Sequence, residues 1–278
     1  MMELYARVSR DVSKLVTNSY STSFSLGIKL IAEELRIPIY NIYGFVRFAD
    51  EIVDTFHDFD KATLFEEFRQ DTYRAIERGI SLNPVLHAFQ EVVRTYDIGL
   101  DLIDGFLDSM EMDLESRTFD RRTYDQYIFG SAEVVGLMCL KVFVEGDHVE
   151  YERLKTPAMK LGAAFQKVNF LRDIKSDYQE RGRVYFPGVA YESFTCEKKK
   201  EIEAEIQADF DEALLGIHEL PKGARMGVYL AYKYYQRLLS KIKKCTAEDV
   251  KERRIRVPDL SKMVILGSSA IRYNLKTS

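Results

Sequence analysis

The scarcity of helix breakers constrains this chain most. Six prolines and fifteen glycines among 278 residues leave long stretches without punctuation. Within them apolar residues return with a helical period. Pro38 opens one such stretch, where Ile39, Ile42, Tyr43, Val46, Ala49 and Val53 follow an i, i+3, i+4 pattern. Helices are likewise predicted over 60–78, closed by Gly79, and from Asn83-Pro84, with Leu86, Phe89, Val92 and Val93. Further helices are predicted over 100–115, after a turn at Asp97-Ile98-Gly99, and over 124–143, 151–178, 198–220 and 223–244. Alternating strand patterns are nearly absent, and RGRVYFPGVAY (181–191) is the main non-helical segment. No linker, repeat or low-complexity tract divides the chain. Length alone carries a prior of about two domains, but the pattern predicts a single all-α domain over 1–278, with about nine or ten helices.

Charge excludes one class of function. Forty basic residues against 44 acidic ones leave a net charge of −4, where a general nucleic-acid coat needs a basic excess. Cys139, Cys196 and Cys245 form no CxxC pair, so a disulfide framework or zinc ribbon is not expected and a reducing compartment is. The N-terminal MMELYARVSRDVSKL has charges every few residues and no apolar core of a secretory signal. The apolar run 134–140 is far short of the roughly 20 residues that span a bilayer, and no C-terminal anchor is expected.

Two carboxylate pairs carry the chemistry. Asp50 and Asp54, in RFADEIVD (47–54), are four apart and share a helix face. Like charges at that spacing repel, a cost that a hard divalent cation offsets. Mg²⁺ takes oxygen ligands and is often held by one or two carboxylates plus substrate phosphates. A lone pair of this kind is more often a solvated acidic face. The second pair changes that balance. Gln166, Asn169, Asp173 and Asp177 step by 3, 4 and 4 along one stripe of a helix whose other face holds Leu161, Ala164, Phe165, Val168 and Leu171. Two amides and two carboxylates on one stripe suit a metal–diphosphate site, built from facing helices of a bundle.

With these residues the chain resembles the squalene/phytoene synthase family, the head-to-head prenyl synthases, over nearly its whole length. The resemblance rests on YSTSFS (20–25), RFADEIVD (47–54), GSAEVVGLM (130–138), FQKVNFLRDIKSD (165–177) and RGRVYFP (181–187). It implies an all-α isoprenoid-synthase bundle with a central active-site cavity, Mg²⁺ (with Mn²⁺ as substitute), and condensation of two allylic diphosphates through a cyclopropylcarbinyl diphosphate. By resemblance Asp50, Asp54, Asp173 and Asp177 hold the metal, and Asn169 and Gln166 complete the polar wall. Arg47 lies three residues before Asp50, and its planar fork suits diphosphate oxygens; the alternative is a helix-surface partner of Asp50 or Glu51. Ser21 and Ser23 fall where the family holds a diphosphate, or act as ordinary cap or turn serines. Tyr185 lies over the site in relatives. Tyr235 and Arg254 match late residues directed to the cavity, although a core role suits Tyr235 as well. Arg172 is read as a pairing residue.

The chain also departs from the pattern. Relatives often carry Tyr before the glycine at 130, where this chain has Phe129. Tyr127 stands on another helix face and does not simply replace it. Glu133 is read as a surface residue, with a polar group in the pocket wall as the alternative, and the stripe Asp101, Asp104, Asp108, Glu111 and Glu115 as a solvated face. Asp113 matches a family motif of underived role. His57, His87, His148 and His218 show no metal-ligand spacing. Gly162, Ala163 and Ala164 leave room for a substrate chain or allow close helix packing.

The chemistry implied is ionisation of an allylic diphosphate followed by attack of a second double bond in a water-excluding aromatic cavity. The favoured product is phytoene, from two C20 (geranylgeranyl) diphosphates. The alternatives are squalene or dehydrosqualene from two C15 (farnesyl) diphosphates, with NADPH only for squalene, or a non-catalytic scaffold keeping the fold. A terpene cyclase or head-to-tail synthase would usually carry DDxxD, and position 51 is Glu. Expected partners are prenyl diphosphates and no nucleic acid. The expected location is cytoplasmic, with peripheral contact at the inner face of a membrane. A basic cluster, Lys241, Lys243, Lys244, Lys251, Arg253, Arg254 and Arg256, is a candidate lipid face or a solvated helix end. Oligomeric state and downstream partner are not encoded in any motif.

Overall fold

A computed structural model describes residues 1–115, 118–189, 191 and 193–256. The expected domain's last residues, 257–278, and Ala190 of the loop segment lie outside the described residues. The fold is all-α, and twelve α-helices occur among the described residues. The first five are α1 (Met2–Tyr20), α2 (Thr22–Ile28), α3 (Glu33–Thr55), α4 (Lys61–Arg78) and α5 (Pro84–Thr95). Next come α6 (Leu100–Glu111), a 3-10 turn at Met112–Leu114, α7 (Arg121–Ile128), a π turn at Phe129–Glu133 and α8 (Val134–Phe143). The chain continues through α9 (His148–Arg181), α10 (Cys196–Glu219), α11 (Lys222–Ile242) and α12 (Ala247–Glu252).

Local chemistry sets most of these limits. The Asp60 side chain caps α4 by accepting from the Thr63 amide at 3.1 Å, and Gly79 closes it with φ 69°, a conformation glycine adopts without strain. Asn83 caps α5, and Pro84 takes its first position, where no amide hydrogen is needed. Three expectations differ. Helix α3 starts at Glu33, so Pro38 lies inside it. The proline forfeits one hydrogen bond, but Glu33 and Glu34 occupy the first turn, where acids meet the positive end of the helix. The helix expected over 100–115 ends at Glu111 and tightens into the 3-10 turn. Helix α1 escaped the pattern because its buried stripe, Ser9, Ser13 and Thr17, is polar; the Thr17 hydroxyl donates to the Ser13 carbonyl at 2.9 Å.

Two apolar cores form. One gathers α3, α4, α5, α6 and α8 around Phe45, which stacks on Phe89 at 3.9 Å. The other gathers α7, α9, α10, α11 and α12, with Phe170, Phe210 and Leu239 inside. An apolar cavity of about 230 Å³ lies along their seam, bordered by Ile31 and Leu154 of the first core and Ile217 of the second. Close helix approaches frame it: a Cβ on Gly162 would lie 2.5 Å from the Ala132 carbonyl oxygen, and one on Gly227 would lie 2.5 Å from that of Gly27. An isolated parallel bridge joins Thr118 to Val184 and draws the loop after α9 against the loop after the 3-10 turn.

The stretch Arg121–Phe143 is long and apolar enough to cross a membrane by composition. Tyr124, Tyr127, Ile128, Val134, Leu137, Met138, Leu140 and Val142 of that stretch are buried in the two cores.

Candidate active site

The site is built on the C-terminal halves of α3 and α9 and on the loop that follows α9. Gly182 ends α9 with φ 65°, and its amide donates to the Tyr178 carbonyl. The chain then turns back, so that Arg183 is almost fully buried and bridges three elements. Its Nη1 lies 2.7 Å from Asp54 Oδ1, its Nε lies 3.4 Å from Asp113 Oδ1, and it also donates to the Asp113 carbonyl. The Tyr127 hydroxyl donates to Asp113 Oδ2 at 2.5 Å and the Tyr185 hydroxyl to Oδ1 at 3.2 Å. The Tyr185 ring stacks on Phe170 at 3.9 Å. Burial is the largest influence on the Asp113 carboxyl and, with the nearby charges of Asp54 and Asp50, raises its pKa to about 7, against the pull of Arg183 and the Tyr127 hydrogen bond. Burial holds both phenols well above the ordinary tyrosine value.

The sequence reading left Asp113, Tyr127 and Arg183 without roles. No local signal joins them, since Asp113 and Arg183 are 70 positions apart. The π turn that follows α7 adds one residue to the helical register, and such turns are frequent at functional sites. Phe129 is partly exposed beside Gly105, while Tyr127 supplies a buried phenol to the cluster.

Of the other expected site residues, Asp50 and Asp177 bear on this cluster through their charges, and the rest make contacts of their own. Arg47 pairs with Asp50 and Glu51 along α3 and lies 4.3 Å from the centre of the Tyr20 ring, so the helix-partner alternative describes its present contacts. Asp173 receives Arg172 Nε at 3.0 Å and Arg254 Nε at 2.7 Å, while Arg253 turns to Asp249 at 3.1 Å. Asp177 is buried, and its charge reaches Tyr185. The Tyr235 hydroxyl donates to Asn169 Oδ1 at 3.3 Å, and its ring stacks on Phe165 at 4.0 Å. Gln166 is half-buried and lines the apolar cavity with Phe24, Gly162 and Phe165. Ser21 caps α2, accepting from the Phe24 amide at 3.2 Å, and a hydrogen bond from it pulls against the burial that pushes the Tyr43 phenol up to about 12. Ser23 is half-buried on the first turn of α2.

Two surface readings change. Glu133 is half-buried, and burial raises its pKa to about 7 against the pull of Lys160 and Lys167. Those lysines reach Asp209 at 3.0 and 2.7 Å, so Glu133 borders an interior charge network between α9 and α10. In the basic cluster, Lys251 pairs with Glu248, Arg253 with Asp249 and Arg254 with Asp173, which removes three of its charges from a free face. The acidic stripe of α6 stays largely solvated, with Asp108 and Glu111 pairing with Arg69.

Among the described residues, no three of His, Cys, Asp and Glu gather closely enough to enclose a metal ion by themselves. The donor set nevertheless fits Mg²⁺. It offers hard carboxylate oxygens in two i, i+4 pairs and neighbouring amides, and Mg²⁺ is commonly held by one or two carboxylates plus phosphate oxygens of a substrate.

Comparison with known proteins places these features in context. The family described as squalene/phytoene synthase matches residues 17–200, about two thirds of the chain. A presqualene diphosphate synthase of Rhodopseudomonas palustris is 30% identical over 170 residues, 60% of this chain and 58% of that protein. The chain thus spans less than two thirds of this relative. A 4,4'-diapophytoene synthase of Staphylococcus haemolyticus is 25% identical over 82% of this chain and 85% of its own. A phytoene synthase of Arthrospira platensis is 26% identical over 95% and 93%. Among solved structures, a ligand-bound dehydrosqualene synthase superposes with a TM-score of 0.83 at 21% identity, covering 98% of both chains. A squalene synthase from Alicyclobacillus acidocaldarius gives 0.75 at 21% identity, covering 87% of this chain and 95% of its own. At these identities the structures establish the fold, an all-α isoprenoid-synthase bundle.

Proposed function

Given that the chain belongs to the squalene/phytoene synthase family of prenyltransferases, we propose that it condenses two geranylgeranyl diphosphates head to head, through a cyclopropylcarbinyl diphosphate, to phytoene. The observation that carries the reading is the convergence of Asp54 from the first carboxylate pair and Tyr185 from the loop beyond the second pair on Arg183 and Asp113. The amide Gln166, on the same helix as the second pair, faces the apolar cavity. Asp50, Asp54, Asp173 and Asp177 would hold Mg²⁺, which supplies charge neutralisation for a departing diphosphate. Arg47 and Arg254 stand beside these carboxylates and provide donors for diphosphate oxygens. The cavity walls exclude water that would quench an allylic cation. Phe165 and Tyr235 present stacked aromatic faces next to Asn169, and such faces favour positive charge.

The similarity to the Arthrospira platensis phytoene synthase along nearly the whole of both chains supports the C20 substrate. The 4,4'-diapophytoene synthase relative supports a second reading, in which two farnesyl diphosphates give dehydrosqualene. Incubation of the purified chain with Mg²⁺ and C15 or C20 diphosphate, with and without NADPH, tests both. A C40 hydrocarbon formed without NADPH supports phytoene. A C30 product replaces that reading, and an NADPH requirement identifies squalene formation. No product from either substrate discards the catalytic reading.

A further inference from the structure

Two guanidinium groups grip the single carboxylate of Asp173. Arg172 Nε lies 3.0 Å from Oδ1 and 3.1 Å from Oδ2. Arg254 places Nε 2.7 Å from Oδ1 and Nη2 3.3 Å from Oδ2. An ionised carboxylate offers about four lone-pair sites on its two oxygens. The two forks therefore fill Asp173 and leave one positive charge in surplus beside it. A divalent cation needs the same oxygen lone pairs and repels a guanidinium at that range. For Asp173 to ligate a metal, one fork has to leave.

The two arginines differ in their freedom to do so. Arg172 precedes Asp173 on α9, and its side chain is only 19% exposed. Arg254 arrives from 81 positions away with its side chain 51% exposed, and Asp173 is its one ion-pair partner among the described residues. The backbone on either side of Arg254 is pinned. Lys175 Nζ donates to the Glu252 carbonyl at 2.9 Å, the Tyr191 hydroxyl to the Lys251 carbonyl at 3.0 Å, and Lys241 Nζ to the Arg256 carbonyl at 2.9 Å. Ile255 is buried. The part free to swing is thus the Arg254 side chain and not the segment that carries it. The other guanidiniums beside the aspartates are held by more partners. Arg183 is buried and shared between Asp54 and Asp113, and Arg47 is clamped by Asp50, Glu51 and the Tyr20 ring.

We propose that Arg254 is an exchangeable counter-ion: it competes with a divalent cation for the Asp173 oxygens and, once displaced, turns its fork to the diphosphate. Its planar donors suit phosphate oxygens as well as they suit a carboxylate. One side chain then couples the two ligands, and the coupling is reciprocal. The inference rests on the metal–diphosphate reading of the site and is independent of prenyl chain length.

Two binding measurements on the full chain test it without turnover. Paramagnetic resonance of free Mn²⁺ gives the affinity for the cation alone, and isothermal titration with inorganic pyrophosphate in excess Mn²⁺ gives the affinity for the anion. Arg254→Gln should tighten Mn²⁺ at least threefold and weaken pyrophosphate at least tenfold, with an unchanged circular dichroism spectrum. A merely structural role would weaken both. Arg253→Gln removes the same charge one residue away, from a side chain that is 68% exposed and paired with Asp249; it should leave both affinities within twofold. Mn²⁺ affinity unchanged or lowered in Arg254→Gln, pyrophosphate affinity unchanged in it, or equal shifts in Arg253→Gln would each overturn the exchange and leave the metal–diphosphate reading standing. Failure of the unaltered chain to bind Mn²⁺ and pyrophosphate together would overturn both.

Discussion

Arg183 Nη1, two residues beyond the end of α9, lies 2.7 Å from Asp54 Oδ1 in the last turn of α3, although 129 positions separate the two in sequence. The contact fixes where the loop after α9 sits over the site. Arg183→Met deprives both Asp54 and Asp113 of a buried cation. Breaking one partner of a buried pair costs about 3 kcal/mol or more, so the thermal midpoint should fall by roughly 6–12 °C. Calorimetry of the variant checks this, and a fall of less than about 2 °C would show that the pair contributes little.

Asp113 predicts a pH dependence of stability. Its pKa is raised from 3.8 to about 7 by the fold, so the native state binds its proton more tightly than the unfolded chain. That contribution is fully present below pH 3.8 and is lost as pH rises through 7. Relative to Asp113→Asn, the unaltered chain should lose stability between pH 4 and 7, with a slope up to about 1.4 kcal/mol per pH unit. Urea unfolding of both proteins across that range measures the difference. Parallel curves would mean that Asp113 stays ionised in the fold.

Asp50→Ala and Asp173→Ala should each lower turnover by about 100-fold or more, while helical circular dichroism is unchanged. The unaltered chain should lose activity in excess EDTA and regain it with Mg²⁺. Full activity in EDTA would remove the metal role from all four aspartates. Unfolding of either variant would make that carboxylate structural.

Gly162→Ala probes the crossing of α9 with the π turn. Its Cβ would lie 2.5 Å from the Ala132 carbonyl oxygen and 3.2 Å from Glu133 Cα, so backbone must shift at a cost of about 1–3 kcal/mol. Chemical denaturation should show that loss. A neutral result would mean that the helices separate freely here and that room for a substrate chain, rather than contact, accounts for the glycine.

What the sequence revealed was local, and what it hid was distant. Helices α4 and α5 were legible because Asp60, Gly79 and Asn83-Pro84 act within a few residues of themselves. The carboxylate pairs were legible because a period of four on a helix is a geometric statement. Pro38 misled because a proline is tolerated inside a helix when the residues before it start the helix well. Helix α1 was hidden because Ser9, Ser13 and Thr17 bury hydroxyls where an apolar stripe was sought. Glu133 looked exposed in a run such as VVGLMCL, and only the fold brings Lys160 and Lys167 near it. Asp113 and Arg183 each fell in a recognisable motif, but their meeting with Tyr127 was hidden, because the three come together only through the crossing of α7, the 3-10 turn and the loop after α9.

The seam cavity gives its occupant a mechanical part in the molecule. Ile31 and Leu154 belong to one apolar core and Ile217 to the other, and all three border the same space. A hydrocarbon chain seated there is mortar between two courses of brick, touching both halves at once. Filling it should tie the two cores together and raise the thermal midpoint of both. Under the proposed function, substrate capture and consolidation of the fold would be a single event, and a chain too short to reach both walls would bind without joining them.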